Sequence, residues 1–186
     1  MRWRFPKHQG SSIFLSFRTG VCLVLALPAL VGWITGCAST HFDGRSFRRG
    51  DVAFSVGETP AGWRSINVSD ASLAYRDDGA RATIAVQGRC GRDGDDVPLE
   101  SLTQHLFIHF TEREMVRQER MPMAGREAMR TELVAKLDGV ARRFIVYVLK
   151  KDGCVYDFLY IGEPELEQAS VGAFDRYVAG FRTTQR

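Results

Sequence analysis

The chain has one long apolar run near its start and, after it, many short segments in which apolar and polar positions alternate. Residues 21–34 are apolar throughout, and positively charged residues precede them. From residue 51 onward, short apolar segments are separated by Gly, Pro and Asp-Gly turn signals. The pattern therefore divides the chain into an N-terminal segment and a folded domain.

Three apolar segments predict the first strands of that domain. The segment 51–57 (DVAFSVG) alternates with the period of a strand and ends before a turn that contains Pro60 and Gly62. The segments 71–77 and 82–90 flank Asp78-Gly79, a pair typical of hairpin turns.

A helix is predicted next, over residues 98–111 (PLESLTQHLFIHFT). Asp96 precedes it at a position suited to a helix cap, and Pro98 is favoured in a first helical turn. At 100° per residue its apolar side chains fall on one side, namely Leu99, Leu102, Leu106, Phe107 and Phe110.

Four strands and a closing helix complete the predicted order βββαββββα. The segments 115–123, 127–137, 140–150 and 154–162 are separated by an Ala-Gly-Arg turn and by two Asp-Gly pairs, which indicates an antiparallel meander. Residues 165–182 place apolar side chains on one broad helical face. We therefore expect an α+β fold with one antiparallel sheet and two packing helices.

This order, the closing helix and the turn with Pro60, Gly62 and Trp63 resemble a known domain. It is shared by PsbP of photosystem II and a group of bacterial envelope lipoproteins. The resemblance covers about residues 51–183 and implies a PsbP-like sandwich. That group has no common catalytic motif, so the resemblance implies no site residues.

The N-terminal segment has the pattern of a secretory signal. Its apolar run of 14 residues would span about 21 Å as a helix, whereas a bilayer core is about 30 Å thick. A charged start, a short apolar core and small residues after it are typical of a cleaved signal. The alternative is a tilted membrane anchor, which Arg18 and Pro28 disfavour.

Ile34-Thr35-Gly36-Cys37 resembles the lipobox of bacterial lipoproteins. The resemblance implies cleavage before Cys37, a diacylglyceryl group on its thiol and an acyl group on its new amino end. Two or more acyl chains anchor a protein stably in a membrane. Ala38, rather than Asp, implies transport to the outer membrane in a Gram-negative cell. The alternative is a signal peptide with an incidental cysteine.

These observations give three parts. Residues 1–36 are a predicted lipoprotein signal peptide, 37–50 carry the lipidated cysteine and a flexible tether, and 51–186 form a single α+β domain.

Charge excludes a nucleic-acid partner. The net charge is +3, with 25 Lys and Arg against 22 Asp and Glu. Four of the basic residues and none of the acidic ones lie in residues 1–36, so 21 basic residues face 22 acidic ones in the rest. No concentrated basic face remains to bind phosphates.

Two of the four cysteines belong to the predicted exported domain. Cys90 ends one strand and Cys154 begins another, and each lies in phase with the apolar residues on one face of its strand. An oxidising compartment favours a disulfide between them. Closing the loop from residue 90 to residue 154 would be worth about 3–4 kcal/mol. Buried free thiols are the alternative.

Three other residues are candidates for chemistry. His105 and His109 have the spacing of two metal ligands on a helix, but no third ligand is evident nearby, and a solvated pair is the alternative. Asp157 lies within an apolar strand and must be paired or face water. We expect a salt bridge to Arg142 or Arg143, or a position that lines a cleft. Motifs for phosphate, dinucleotide or nucleophilic-serine sites are absent, so no cofactor is expected.

The leading functional expectation is a non-enzymatic binding or accessory module in the cell envelope. Its acyl anchor would sit in membrane lipid, on the outer membrane facing the periplasm, and its partner would be an envelope protein. One alternative is a carrier of a lipid or other apolar ligand, bound between the sheet and a helix and lined by aromatic residues (Phe107, Phe110, Phe144, Phe158, Phe174 and Phe181). Another is a hydrolase or metal enzyme that uses His105, His109 and Asp157.

Overall fold

A computed structural model describes residues 39–91, 97–165 and 168–184. The predicted signal peptide, the lipobox with Cys37, the capping residue Asp96 and Leu166 of the closing helix lie outside the described residues.

The large sheet has seven strands, all antiparallel, in the order β4-β5-β6-β10-β9-β8-β7. The strands are β4 (Arg64–Ser65), β5 (Leu73–Asp77), β6 (Ala82–Cys90), β7 (Thr111–Met123), β8 (Arg126–Leu137), β9 (Val140–Lys151) and β10 (Cys154–Gly162). The meander predicted for β7 to β10 is confirmed. At the turn between β8 and β9, Asp138 and Gly139 both have positive φ, as a two-residue hairpin turn requires.

A second, four-stranded sheet corrects the prediction of a single sheet. It has the order β1-β2-β3-β11. Its strands are β1 (His41–Phe42), β2 (Ser46–Arg49), β3 (Val52–Ser55) and β11 (Arg182–Thr183).

The flexible tether predicted for residues 37–50 is wrong for residues 41–49, which contain β1 and β2. Phe47 is 1% exposed, and its ring stacks on Phe54 with 5.1 Å between centroids. A buried aromatic side chain supplies a large hydrophobic gain. The folded domain therefore begins before residue 51, at a segment whose charged residues conceal one core position.

The two helices lie on opposite faces of the large sheet. Helix α1 (Leu99–Leu106) packs on β8 and β9. Helix α2 (Gln168–Ala179) shares the other core with the four-stranded sheet. The first helix is shorter than predicted, because Phe107 already donates its N–H to the carbonyl of Gln104 in a tighter turn. No helix in the described part of the chain is both long enough and apolar enough to cross a membrane.

Alternation along the strands creates two separate cores. The core on the α2 side is rich in aromatic residues, with Tyr156, Phe158 and Phe181 in mutual contact. The hydroxyl of Tyr147 donates a hydrogen bond of 2.9 Å to Asp175 and thereby ties α2 to β9. The core on the α1 side is smaller and aliphatic, with Phe107, Phe110 and Phe144 as its aromatic members.

Candidate functional site

Helix α1 is too short to cover its face of the large sheet. Eight helical residues extend about 12 Å, whereas seven strands at about 4.8 Å spacing are roughly 30 Å wide. The helix lies over β8 and β9. On the same face of the sheet, β4, β5, β6 and part of β10 are not covered by this helix.

A groove of about 340 Å³ occupies this region, and we call it the sheet-face groove. Its apolar walls come from both the strands and the segment around α1, and include Ile66, Ala85, Leu106, Phe110, Leu159 and Ile161. Its polar lining residues are Arg76, Thr83, Gln87, Asp138, Arg142 and Asp157.

Small side chains on β5 and β6 explain why the groove is not filled. Ala74 pairs with Ala85, and Ala85 in turn lies opposite Leu159 on β10. Neighbouring alanines on one face leave space that a larger residue would fill. The groove is therefore a consequence of side-chain size at these positions.

The pairing register of β6 and β10 gives the order of the lining residues along the groove. Asp157 lies opposite Gln87, Leu159 opposite Ala85, and Ile161 opposite Thr83. Successive residues on one face of a strand are separated by about 6.7 Å. Asp157 thus lies roughly 13 Å along the strand from Ile161, with apolar side chains between.

Asp157 is the buried carboxylate of the groove, with a relative exposure of 4%; Gln87, also 4% exposed, is its buried polar neighbour in the lining. Nη2 of Arg89 lies 2.8 Å from its Oδ2, and the two side chains form an ion pair. Neither carboxylate oxygen accepts a hydrogen bond from the residues that the structure describes, because the N–H groups of Arg89 are not aligned with them. Burial raises the pKa of Asp157 to about 6, and the positive charge of Arg89 opposes this rise.

The partner predicted for Asp157 was wrong, although its place in a cleft was among the expectations. Arg142 pairs with Glu163 at 2.8 Å, and Arg143 pairs with Glu132 at 2.9 Å. Register places Val148, not either arginine, opposite Asp157 on β9. Six residues of strand separate Arg142 from that position, or roughly 20 Å, so no ion pair can form.

The far end of the groove carries arginines that are already paired. Arg76 donates a hydrogen bond of 3.2 Å to the hydroxyl of Thr83 and forms an ion pair with Asp78. Glu163 accepts from Arg142 and also lies 3.2 Å from Arg81. This end is polar, and each of its two lining arginines has an acidic partner.

The two histidines do not share the groove with Asp157. His105 is exposed on α1, and His109 is exposed beyond the end of that helix, so they do not form the predicted helical pair. Neither lines the groove. Among the described residues, no group of three or more His, Cys, Asp or Glu side chains is placed to hold a metal ion.

Cys90 and Cys154 form a disulfide on the opposite face of the sheet. They are cross-strand partners at the end of the β6 and β10 pair, with Cα atoms 4.0 Å apart. The bridge covalently joins β6 to β10 at the end of their pairing that is nearer to Asp157, two residues along β6 from Gly88.

Five of the six aromatic residues expected to line an apolar ligand site are core residues instead. Only Phe110 contacts the groove. Phe107 and Phe144 fill the α1-side core, and Phe158, Phe174 and Phe181 fill the α2-side core. Arg89 and Gln87, which β6 places on the same face as Asp157, were not among the predicted site residues. Their alternation with Gly88 is the one pattern that marks them.

Comparison with known proteins identifies a shared fold. No family model matches the chain, and no curated protein sequence matches it. The solution structure of cyanobacterial PsbP from Synechocystis has a TM-score of 0.55 at 16% identity, over 85% of this chain and 99% of that one. A crystal structure from Bacteroides thetaiotaomicron has a TM-score of 0.53 at 8% identity, over 72% of this chain and 46% of that one.

LpqN of Mycobacterium tuberculosis, described as involved in cell envelope biogenesis, gives a TM-score of 0.47 at 15% identity, over 73% of this chain and 86% of that one. At such identities the likeness concerns the fold. The domain is PsbP-like, an α+β fold of antiparallel sheets and two helices.

Proposed function

We propose that this protein is a membrane-anchored binding module of the cell envelope, and that the sheet-face groove is its binding site. The observation that carries the proposal is the groove itself, about 340 Å³ in volume, with mainly apolar walls and polar residues at its two ends. Ligand sites in proteins have this size and this composition.

A non-enzymatic role is supported by the placement of the candidate residues. Acid–base catalysis needs a base within hydrogen-bonding reach of a reacting group, and a nucleophile needs such a base beside it. The histidines face solvent, while Asp157 is buried and paired with Arg89. A hydrolase or metal enzyme built on these residues has no support in their positions.

An extracytoplasmic location is supported by chemistry at two points in the chain. The disulfide between Cys90 and Cys154 is stable in an oxidising compartment. The lipobox-like segment ending at Cys37 follows a short apolar run. In the proposal, acyl chains on Cys37 hold the protein in the outer membrane, and the domain faces the periplasm, where it meets its partner in the envelope.

A carrier of a lipid or other apolar ligand is the second candidate, and the groove favours it as well. The aliphatic lining provides contacts for an alkyl chain, although the aromatic residues expected there belong to the cores. A carrier differs from an accessory module in what occupies the groove: a small molecule or a segment of another protein.

Photocrosslinking in native membranes tests the proposal. A photoreactive residue replaces Val140, which lines the groove and is 50% exposed. Met115 on β7 is the matched control position, being 46% exposed and outside the groove. Mass spectrometry identifies what is captured.

We expect one species captured from position 140 and not from 115, and lost when Ala85→Phe fills the groove. The mass of that species distinguishes a lipid from a protein. Equal capture from both positions, or capture that survives Ala85→Phe, would contradict a binding role for the groove.

A further inference from the structure

The sheet-face groove has one buried polar group whose oxygens lack hydrogen-bond donors. Asp157 lies at one end of the apolar rows, and neither of its carboxylate oxygens accepts a hydrogen bond from the described residues. Leaving a buried acceptor unsatisfied costs free energy. A purely apolar ligand would leave that cost in place, whereas a ligand with a hydrogen-bond donor would remove it.

Resting on the binding role proposed above, we infer that the groove takes a neutral aliphatic molecule with a hydroxyl group, whose O–H donates to the carboxylate of Asp157. The alkyl part then lies along β6 and β10, in contact with Ala85 and Leu159.

Charge at the polar end selects a neutral donor. The guanidinium of Arg89 lies 2.8 Å from Asp157 and already balances its negative charge. An ammonium group would add a net positive charge beside Arg89, in largely apolar surroundings. A carboxylate ligand would place a second negative charge beside Asp157, and like charges at such a distance disfavour each other.

The shape of the groove selects an elongated molecule. Its polar end at Asp157 and its far end near Arg76 and Arg142 are separated by two rows of residues, roughly 13 Å along the strands. Between them the strand floor is formed by Ala85, Leu159 and Ile161. Asp138, the other carboxylate of the lining, is exposed to solvent. A linear chain with one terminal hydroxyl satisfies both the apolar floor and the buried carboxylate of Asp157.

Three photoreactive probes of equal chain length test this inference: diazirine-bearing 1-decanol, decanoic acid and decylamine. The full chain, processed and lipidated by the cell, is reconstituted in lipid nanodiscs at pH 8, where Asp157 is ionised. Peptide mapping measures labelling of the groove, and the Ala85→Phe variant gives the background for each probe.

We expect the alcohol to label the groove about tenfold more than the acid or the amine, the ratio that one hydrogen bond to a charged group produces. Asp157→Leu should abolish that preference. Asp157→Asn keeps an acceptor oxygen and removes the charge, so it should retain the alcohol and gain labelling by the acid. An intact disulfide and an unchanged far-ultraviolet spectrum show that each variant is folded.

The outcomes separate the two proposals. Equal labelling by all three probes above background, or a preference that Asp157→Leu leaves intact, would overturn the hydroxyl inference while the groove remains a binding site. Labelling no higher than in Ala85→Phe would overturn the binding role itself.

Discussion

Gly180 and Gly57 meet backbone to backbone where the end of α2 reaches the end of β3. A Cβ atom on Gly180 would lie 2.3 Å from the Cα of Gly57 and 2.4 Å from its nitrogen. The N–H of Gly57 also donates a hydrogen bond of 2.9 Å to the carbonyl of Tyr177. Only glycine at both positions allows the last turn of α2 to approach the four-stranded sheet this closely.

Gly180→Ala should therefore destabilise the domain by about 2–4 kcal/mol, because backbone atoms must move apart to admit the methyl group. Urea denaturation measures this loss. Gly172→Ala within α2 is the control, since its new Cβ would meet only the flexible Arg176 side chain, at 3.5 Å. That variant should be neutral or more stable by up to about 1 kcal/mol. Similar stability for both variants would show that the close contact is not a constraint.

Asp157 should give the stability of the domain a pH dependence opposite to that of an ordinary salt-bridged carboxylate. Its pKa is raised from 3.8 to about 6 in the folded protein, so the folded state binds the proton more tightly than the unfolded chain does. The resulting stabilisation is complete below pH 3.8 and is lost as the pH rises through about 6. The loss should be roughly 3 kcal/mol.

Denaturant titrations between pH 4 and 7 measure this effect as the difference between the natural chain and Asp157→Asn, in which the group no longer titrates. Parallel curves for the two proteins would contradict the assignment of the shift to Asp157.

The disulfide should contribute about 4 kcal/mol, because it closes a loop between residues 64 positions apart. Replacing both Cys90 and Cys154 by Ala should lower the denaturation midpoint by a matching amount without changing the fold. Maleimide labelling of the unfolded natural protein, before and after reduction, counts the thiols. Two additional labelled sites after reduction are expected, and none would show that the bridge is absent.

Cys37→Ala should release the protein from membranes, since no acyl chain can then be attached at this position. Fractionation of cells into soluble and membrane parts measures the change. Cys22→Ala, within the apolar run, is the matched control and should stay with the membranes. A Cys37→Ala protein that still fractionates with membranes would rule out the lipid anchor.

The meander was predictable because its turns are local. Asp138-Gly139 and Asp152-Gly153 adopt positive φ at both positions, and this preference is set by the two residues themselves. Regular alternation along each strand is local in the same way, and it places Cys90 and Cys154 on the same face of the sheet. Strand β2 was not predictable in this way, since Phe47 is its one fully buried residue and its partner Phe54 belongs to another strand.

The groove depended on relationships that no short segment contains. Its space results from Ala74 beside Ala85 on different strands and from the early end of α1. Arg89 reaches Asp157 because β6, rather than β8, borders β10 on its second side. A sequence pattern can place Asp157 on a face, but the identity of its neighbour is set by the order of strands in the sheet.

Strand β11 pairs with β3, so that Arg182 lies beside Ser55 and the two ends of the described chain meet in one small sheet. Contacts this distant in sequence slow folding, because they close long loops. Residues 182–183 follow every other strand of the two sheets along the chain. Until they pair, β3 is bonded only to β2, and its other edge is open to pairing with another chain until α2 and β11 are in place.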